Sequence, residues 1–213
     1  MFQGARLEHF GRILVDHLDT FVLMKLNQHI QIAALAAGDV KLMRNMSPKE
    51  IIRALKLKPH PTEGGYFRET YRSVSTITVE RDGAKDLITR SLSTQIYYLI
   101  TDRSFSTLHR LKQDEVFHYY GGQAAEIFLI LPDGGGKFFH LGGDISNGEV
   151  PQVVVPAMTW QGLRLPTGVN GWCLMGSTVT PGFDYADFEL GSREKLIGQF
   201  PNLKELITLY TRD

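Results

Sequence analysis

The chain has 213 residues, with 23 Lys and Arg against 23 Asp and Glu, so its formal charge is zero. That length holds one domain of barrel size with some helix attached and is short for two full domains. A neutral chain with no basic stripe lacks the electrostatic footprint of a nucleic-acid binder. No run approaches the ~18 apolar residues of a membrane span, and no charged-then-apolar leader opens the chain, so a cytoplasmic protein is expected, with no membrane partner. The single cysteine, Cys173, excludes an internal disulfide and a cysteine-rich zinc site, and within "GWCLMG" it reads as buried filler.

Residues 1–45 read as an N-terminal helical extension. Leu7, Phe10, Leu14, Leu18, Phe21 and Val22 recur at steps of three and four, and Gly38 is a C-terminal stop. His9, His17 and His29 are ordinary helix residues there; His9 and His17 stand two turns apart, too far to share a metal. The broad apolar face is expected to cover the body of the protein or extend a dimer interface. "SPKEIIRALKL" starts a second helix, with Ser47 as N-cap, Pro48 at the first helical position and Glu50 completing a capping box. The prolines of "KPHP" end it.

From residue 65 the pattern changes to strands. "YFRETYRSVSTITV", "SLSTQIYYLIT", "FSTLHRL", "EVFHYY", "AEIFLIL", "KFFHL", "PQVVVP", "TWQGLRL" and "GWCLMGSTVT" are short β-branched and aromatic runs separated by Gly, Pro, Asp and Asn signals. Such a series without intervening helices predicts an all-β antiparallel sandwich or barrel, with a β core over about 65–190 inside a domain of 46–213. "SREKLIGQF" and "NLKELITLYT" close the chain as short helices. "PDGGGKFFH" is a hairpin turn and not a phosphate loop, because no helix follows and the Gly-Lys-Ser/Thr ending is missing.

The chemistry concentrates in "FSTLHRLKQDEVFHYYGG", residues 105–122. In an extended strand His109 and Leu111 share one face. If the next strand starts at Glu115, then Glu115, Phe117 and Tyr119 share a face and His118 takes the other. A hairpin through "KQD" would bring His109 and Glu115 together inside a barrel and leave His118 facing a second sheet or a partner subunit.

These residues resemble the cupin superfamily. His109, Leu111, Glu115 and Gly122 fall on the His, His, Glu and Gly positions of its first motif, and Pro156, Met158 and Gln161 on the Pro, Gly and His positions of its second. "HPTEGGYFRETYRS", "STQIYYLIT", "PQVVVPAMTWQ" and "GSTVTPGFDYADFEL" are similar to blocks of a functionally unassigned cupin group; the Thr62 insertion and Met158 in place of Gly are departures from it. The resemblance covers roughly residues 57–190 and implies a double-stranded β-helix, the jelly-roll barrel, with homodimers as the usual assembly and metal-independent sugar epimerases as structural relatives. Metal-binding cupins use two His and the Glu of the first motif with the His of the second. Here Leu111 and Gln161 stand at two of those positions, so no cofactor is expected, and His109, Glu115 and Gln161 would be at most a reduced ligand set for a divalent metal.

A small-molecule-binding cupin of unsettled activity is expected, and the chemistry its residues could perform is proton abstraction beside a carbonyl. His109 is suited to act as base, Glu115 to orient its ring, and Tyr97 to act as acid if odd residues of "QIYYL" face inward. Arg68 is placed to clamp a carboxylate or phosphate, or else to pair with Glu115 structurally. Tyr66, Phe117, Tyr119 and Trp160 would line the barrel mouth around a small-molecule ligand, with Gln161 beside them. Gly64 and Gly65 allow close approach of a ligand or serve a positive-φ turn. Asp184 and Asp187 read as structural caps first, with pairing to Arg residues or binding of a cation as alternatives. Three readings stand together: a metal-independent isomerase or epimerase, a non-catalytic metabolite-binding protein, and a metal-dependent oxygenase or decarboxylase with few ligands.

Overall fold

Ser47 starts the first described helix as its sequence dictates. Its side chain accepts from the Glu50 N–H, and the Glu50 carboxylate accepts from the Ser47 N–H at 2.7 Å, so α1 (Pro48–Ala54) opens with both orphan donors satisfied. The computed structural model describes residues 45–80 and 87–212. The helical extension and His9, His17 and His29 fall outside the described residues. The chain divides into two units, Met1–Asn45 and Met46–Asp213, and the second holds every element named below.

Thirteen strands are found among the described residues, where about nine runs stood out in the sequence. "YFRETYRSVSTITV" is two strands, β2 (Tyr66–Arg72) and β3 (Thr76–Glu80), parted at the exposed Val74. β1 (Lys58–Pro59), β4 (Leu87–Ser91) and β13 (Phe188–Leu190) are too short to carry a period. Between β4 and β13 run β5 (Thr94–Thr101), β6 (Ser106–Leu111), β7 (Asp114–Gly122), β8 (Ala125–Ile130), β9 (Gly136–Leu141), β10 (Gln152–Val155), β11 (Trp160–Arg164) and β12 (Trp172–Thr180).

The strands form a six-stranded sheet, β1-β2-β5-β12-β7-β10, a five-stranded sheet, β13-β6-β11-β8-β9, and a separate β3-β4 hairpin, with neighbouring strands antiparallel throughout. The two large sheets close a jelly roll around Tyr98, Ile100, Phe117, Ile127, Leu129 and Val153. A second apolar layer lies on the outer face of the five-stranded sheet. There Leu108, Phe128, Ile130 and Trp160 pack against Leu196 of α2 (Arg193–Gln199), Ile207 of α3 (Lys204–Leu209) and Tyr210. Strand β8 is therefore buried on both faces, its odd residues in the barrel and its even ones under the helices, which explains its continuous apolar run.

"KQD" does not close a hairpin. β6 belongs to the five-stranded sheet and β7 to the six-stranded one, so the connection passes from one sheet to the other. His109 and Glu115 face each other across the barrel interior instead of across a strand pair. "PDGGG" does turn β8 into β9, and Cys173 is fully buried with its thiol pushed up by that burial.

Gly122 ends β7 at φ 95°, and a Cβ there would run into the carbonyl and ring of Trp172. The collision is with fixed backbone, so Gly122→Ala is expected to cost about 2–4 kcal/mol in urea unfolding. Met158 stands at φ 64°, a left-handed position where the family pattern has glycine.

Candidate active site

The site is built on the turn from His60 to Gly65. Gly64 and Gly65 adopt φ values of 99° and 69°, so they serve the positive-φ turn. Three bonds hold it: His60 N–H to Gly65 O at 3.0 Å, Thr107 N–H to Glu63 O at 2.8 Å, and Tyr98 hydroxyl to Gly64 O at 2.7 Å. The second pins the turn to β6, two residues before His109, and sets the Glu63 carboxyl against that imidazole.

His109 Nδ1 lies 2.8 Å from Thr107 O, and a carbonyl only accepts, so Nδ1 carries a proton. In the neutral ring Nε2 is then the acceptor, and it faces Glu63 Oε2 at 3.1 Å. His60 has the opposite tautomer. Its Nδ1 accepts from the Glu63 N–H at 3.2 Å, leaving the proton of the neutral ring on Nε2, 4.0 Å from Glu63 Oε1. The backbone thus orders a chain in which His60 faces Glu63 with a donor and His109 faces it with an acceptor.

Burial pushes the Glu63 carboxyl up and the His109 imidazole down, so each group is drawn toward its neutral form. Burial also lowers His60, against the pull of Glu63. Glu115 is raised by burial and by the charge of Glu63, while His109 and two donors pull it back. Those donors are Ser177 Oγ on Glu115 Oε1 and Gln161 Nε2 on Oε2 at 2.6 Å. Gln161 is the cross-strand neighbour of His109, so it reaches from that sheet to the carboxylate of the other.

His60, Glu63, His109, Glu115 and Ser177 share a cavity of about 340 Å³ with Leu111 and the aromatic segment 183–188. The structure therefore brings His109 and Glu115 together, but the ring of His109 is oriented by Thr107 O and Glu63 and not by Glu115.

Other expected site residues lie elsewhere. Even residues of β5 face inward. Tyr98 is 1% exposed in the core, while Tyr97 lies on the outer face beside Tyr120, under the Arg68 guanidinium at 5.3 Å. Arg68 is the cross-strand partner of Tyr97, so it neither clamps a cavity ligand nor pairs with Glu115. Tyr66 pairs with Leu99 on that face, and its neighbour Phe67 takes the cavity wall. Phe117 and Tyr119 point inward but fill the core away from the cavity, the Tyr119 hydroxyl donating to Gly122 O at 2.6 Å. Trp160 packs in the outer layer under Arg110. His118 is outside the cluster, as strand parity implies, with Nε2 3.2 Å from Thr178 Oγ1. Asp184 caps a turn through the Ala186 N–H, and Asp187 pairs with Arg90.

Reading the first cupin motif alone misses His60 and Glu63. Their signal is the block "HPTEGG", where a His and a Glu three residues apart precede two glycines.

A cupin-type metal does not fit this donor set. Leu111 has no donor atom, His109 Nε2 is directed at Glu63, and both Glu115 oxygens already accept hydrogen bonds. Gln161 Oε1 is buried without a hydrogen-bond partner, but its amide nitrogen is turned to Glu115. No group of three or more His, Cys, Asp and Glu is arranged to hold a metal ion among the described residues.

An antiparallel jelly roll with ionisable side chains converging between its sheets is the architecture of a cupin-type barrel. Residues 49–191 match the family model described as "Cupin superfamily (DUF985)", and the chain belongs to that family. It is 37% identical over 150 residues to the uncharacterized protein YML079W of Saccharomyces cerevisiae, covering 66% of this chain and 73% of the yeast protein. Among solved structures it is similar to a hypothetical protein from Leishmania major, with 30% identity, a TM-score of 0.72 and coverage of 79% of this chain and 100% of that one. Protein SO0799 from Shewanella oneidensis is 33% identical with a TM-score of 0.69, over 78% and 98% of the two chains. No helix of the described residues is long and apolar enough to cross a membrane.

Proposed function

We propose that this cupin binds a small polar molecule in the cavity and moves a proton at a carbon beside a carbonyl, as an isomerase or epimerase that needs no metal. The observation that carries the reading is the ordered chain His60–Glu63–His109, a buried carboxyl raised toward neutrality between two imidazoles of opposite tautomer. A group with a pKa moved toward the working pH is suited to take a proton and give it back.

In the resting pair Glu63 holds the proton. Passing it to His109 Nε2 gives a carboxylate beside an imidazolium, which Thr107 O and the charge of Glu115 stabilise. The freed Glu63 carboxylate removes the proton of the substrate carbon, and the Nε2–H of His60 donates to the enolate oxygen that forms. Return of a proton to the opposite face of that carbon, or to the neighbouring carbon, gives the isomer, and back-transfer from His109 Nε2 to Glu63 restores the neutral pair, so nothing is oxidised or reduced.

The test starts from the molecule that co-purifies with the protein, identified by native mass spectrometry. Incubated with the protein in D2O, it is expected to gain deuterium at carbon, and His109→Gln is expected to slow the gain ~100-fold or more. A molecule that binds and gains no deuterium would make the barrel a binding protein and not an enzyme.

A further inference from the structure

We propose that the ligand of the cavity is an organic cation, an alkylated or quaternary ammonium compound. The proposal rests on the small-molecule part of the reading above and is independent of its proton transfer.

Charge is the first argument. Four carboxyl groups line the cavity, those of Glu63, Glu69, Glu115 and Asp184, against one guanidinium, that of Arg72. Glu69 is paired with Arg72 and burial draws Glu63 toward its neutral form, so Glu115 and Asp184 carry the excess, Asp184 within the field of Arg72 and Arg90. Arg72 is already committed. Its Nε and Nη2 donate to the two Glu69 oxygens at 3.1 and 2.7 Å, and its Nη1 donates to Phe183 O at 3.1 Å. Arg212 influences Glu63 from outside the cavity wall, with Nη2 donating to Phe105 O at 2.8 Å and its guanidinium over the Phe105 ring. An entering phosphate or carboxylate would find no uncommitted cation among the lining residues and would face Glu115 and Asp184. Taking an unpaired anion out of water into such a wall is strongly unfavourable, whereas a cation meets compensating charge.

The rings are the second argument. Phe183, Tyr185 and Phe188 all line the cavity. Their planes stand at 78° (Phe183–Tyr185), 72° (Phe183–Phe188) and 68° (Tyr185–Phe188), with centroids 5.0, 6.3 and 6.3 Å apart. Three mutually steep rings make a corner, and one face of Phe188 is already covered by the His109 imidazole at 5.3 Å and 23°, so these rings leave no pair of parallel walls for a flat heterocycle to enter. The faces of such rings are negative and attract a cation lying within ~6 Å of each centroid. Their apolar surface suits N-methyl or N-alkyl groups, and Glu115 and Asp184 in the same lining supply the counter-charge. A cavity of about 340 Å³ is at the small end for ligand sites, in keeping with a compact ammonium compound.

Three probes of one shape separate the possibilities by calorimetric titration of the full-length protein: choline, the uncharged isostere 3,3-dimethyl-1-butanol and the anion 3,3-dimethylbutanoate. Choline is expected to bind about tenfold tighter than the alcohol, with the anion weakest. Tyr185→Phe keeps the ring and is expected to keep that preference, while Tyr185→Ala and Phe183→Ala lose it with unchanged melting temperature. Equal binding of choline and the alcohol, tighter binding of the anion, or no binding of choline at millimolar concentration would overturn the proposal. Choline binding requires no turnover, so a failed deuterium experiment leaves this result standing, and a failed choline titration leaves the proton-transfer reading standing.

Discussion

Glu63→Gln is expected to leave the protein folded and to stop proton exchange. The amide has the size of the carboxyl and its NH2 can donate to His109 Nε2, so the hydrogen bond at 3.1 Å survives while the group that passes the proton is gone. Losing a positioned acid/base group costs ~10²–10⁴-fold in rate, and deuterium uptake by the bound ligand is expected to fall by that amount. Stability moves the other way. The folded carboxyl is raised above its ordinary value of 4.5, so over the range from there to the folded value the native state holds a proton that the unfolded chain has released. The stabilisation this group contributes is therefore complete below the ordinary value and is lost as pH rises through the folded one. His109, lowered by burial, acts in the opposite sense: its contribution is present above the ordinary imidazole value and is lost as pH falls toward the folded one. The variant keeps the histidine and removes only the carboxyl, so its stability relative to wild type is expected to rise as pH is raised above 4.5 in urea titrations. A variant that loses exchange and also unfolds at lower urea at pH 7 would mark Glu63 as a structural group.

The fold and the site were legible in the sequence to different depths. Period-2 runs and turn residues specify local strands, and the capping box at Ser47 specifies a local helix, so those features follow from neighbours in the chain. Which strands pair is non-local. The three residues between His109's strand and Glu115's look like a hairpin turn, but Leu111 and Lys112 bond to Met158 and Asp187 from other parts of the chain and carry the backbone across to the second sheet. The inward direction of both side chains survived this error, because parity depends on the strand alone.

Parity failed at "QIYYL" for a related reason. Two adjacent tyrosines satisfy either face, and the choice falls to partners distant in the chain: the Tyr98 hydroxyl reaches Gly64 O, and Tyr97 lies under the Arg68 guanidinium and meets Tyr120 edge-on. The same ambiguity hid the cavity's aromatic wall. Phe183 and Tyr185 lie in a turn-rich segment and Phe188 opens the three-residue β13, too short for a period, whereas Tyr66 and Trp160 open longer strands. Side chains that face the cavity from a turn are set by caps and ion pairs, here those of Asp184 and Asp187, and not by an alternation that can be counted.

Asp187 makes that dependence testable, and Asp187→Ala carries the largest expected loss of stability. Its carboxylate is 4% exposed and takes Arg90 Nε at 2.6 Å, Arg90 Nη2 at 3.0 Å and Gln113 Nε2 at 2.7 Å. Burial pushes this carboxyl up, but Arg90 and Gln113 outweigh it and hold the group below its ordinary value. Removing it strands a guanidinium and an amide with little access to water, a loss of about 3–5 kcal/mol. A carboxyl held low contributes stability above its ordinary value of 3.8 that is lost as pH falls through the folded value, so wild type and variant are expected to converge in acid and differ most near neutrality. The consequence for the site follows from position. Asp187 stands between Tyr185 and Phe188, and Arg90 ties that segment to the β3-β4 hairpin, so the pair is expected to act as a strut for the aromatic corner. Asp187→Asn keeps the shape and the Gln113 contact is replaceable, so it is expected to lose less stability than Asp187→Ala. If choline affinity falls in step with stability across the two variants, the ion pair positions the corner; if affinity stays at the wild-type value while stability drops, the rings are held by their own packing and the strut serves the fold alone.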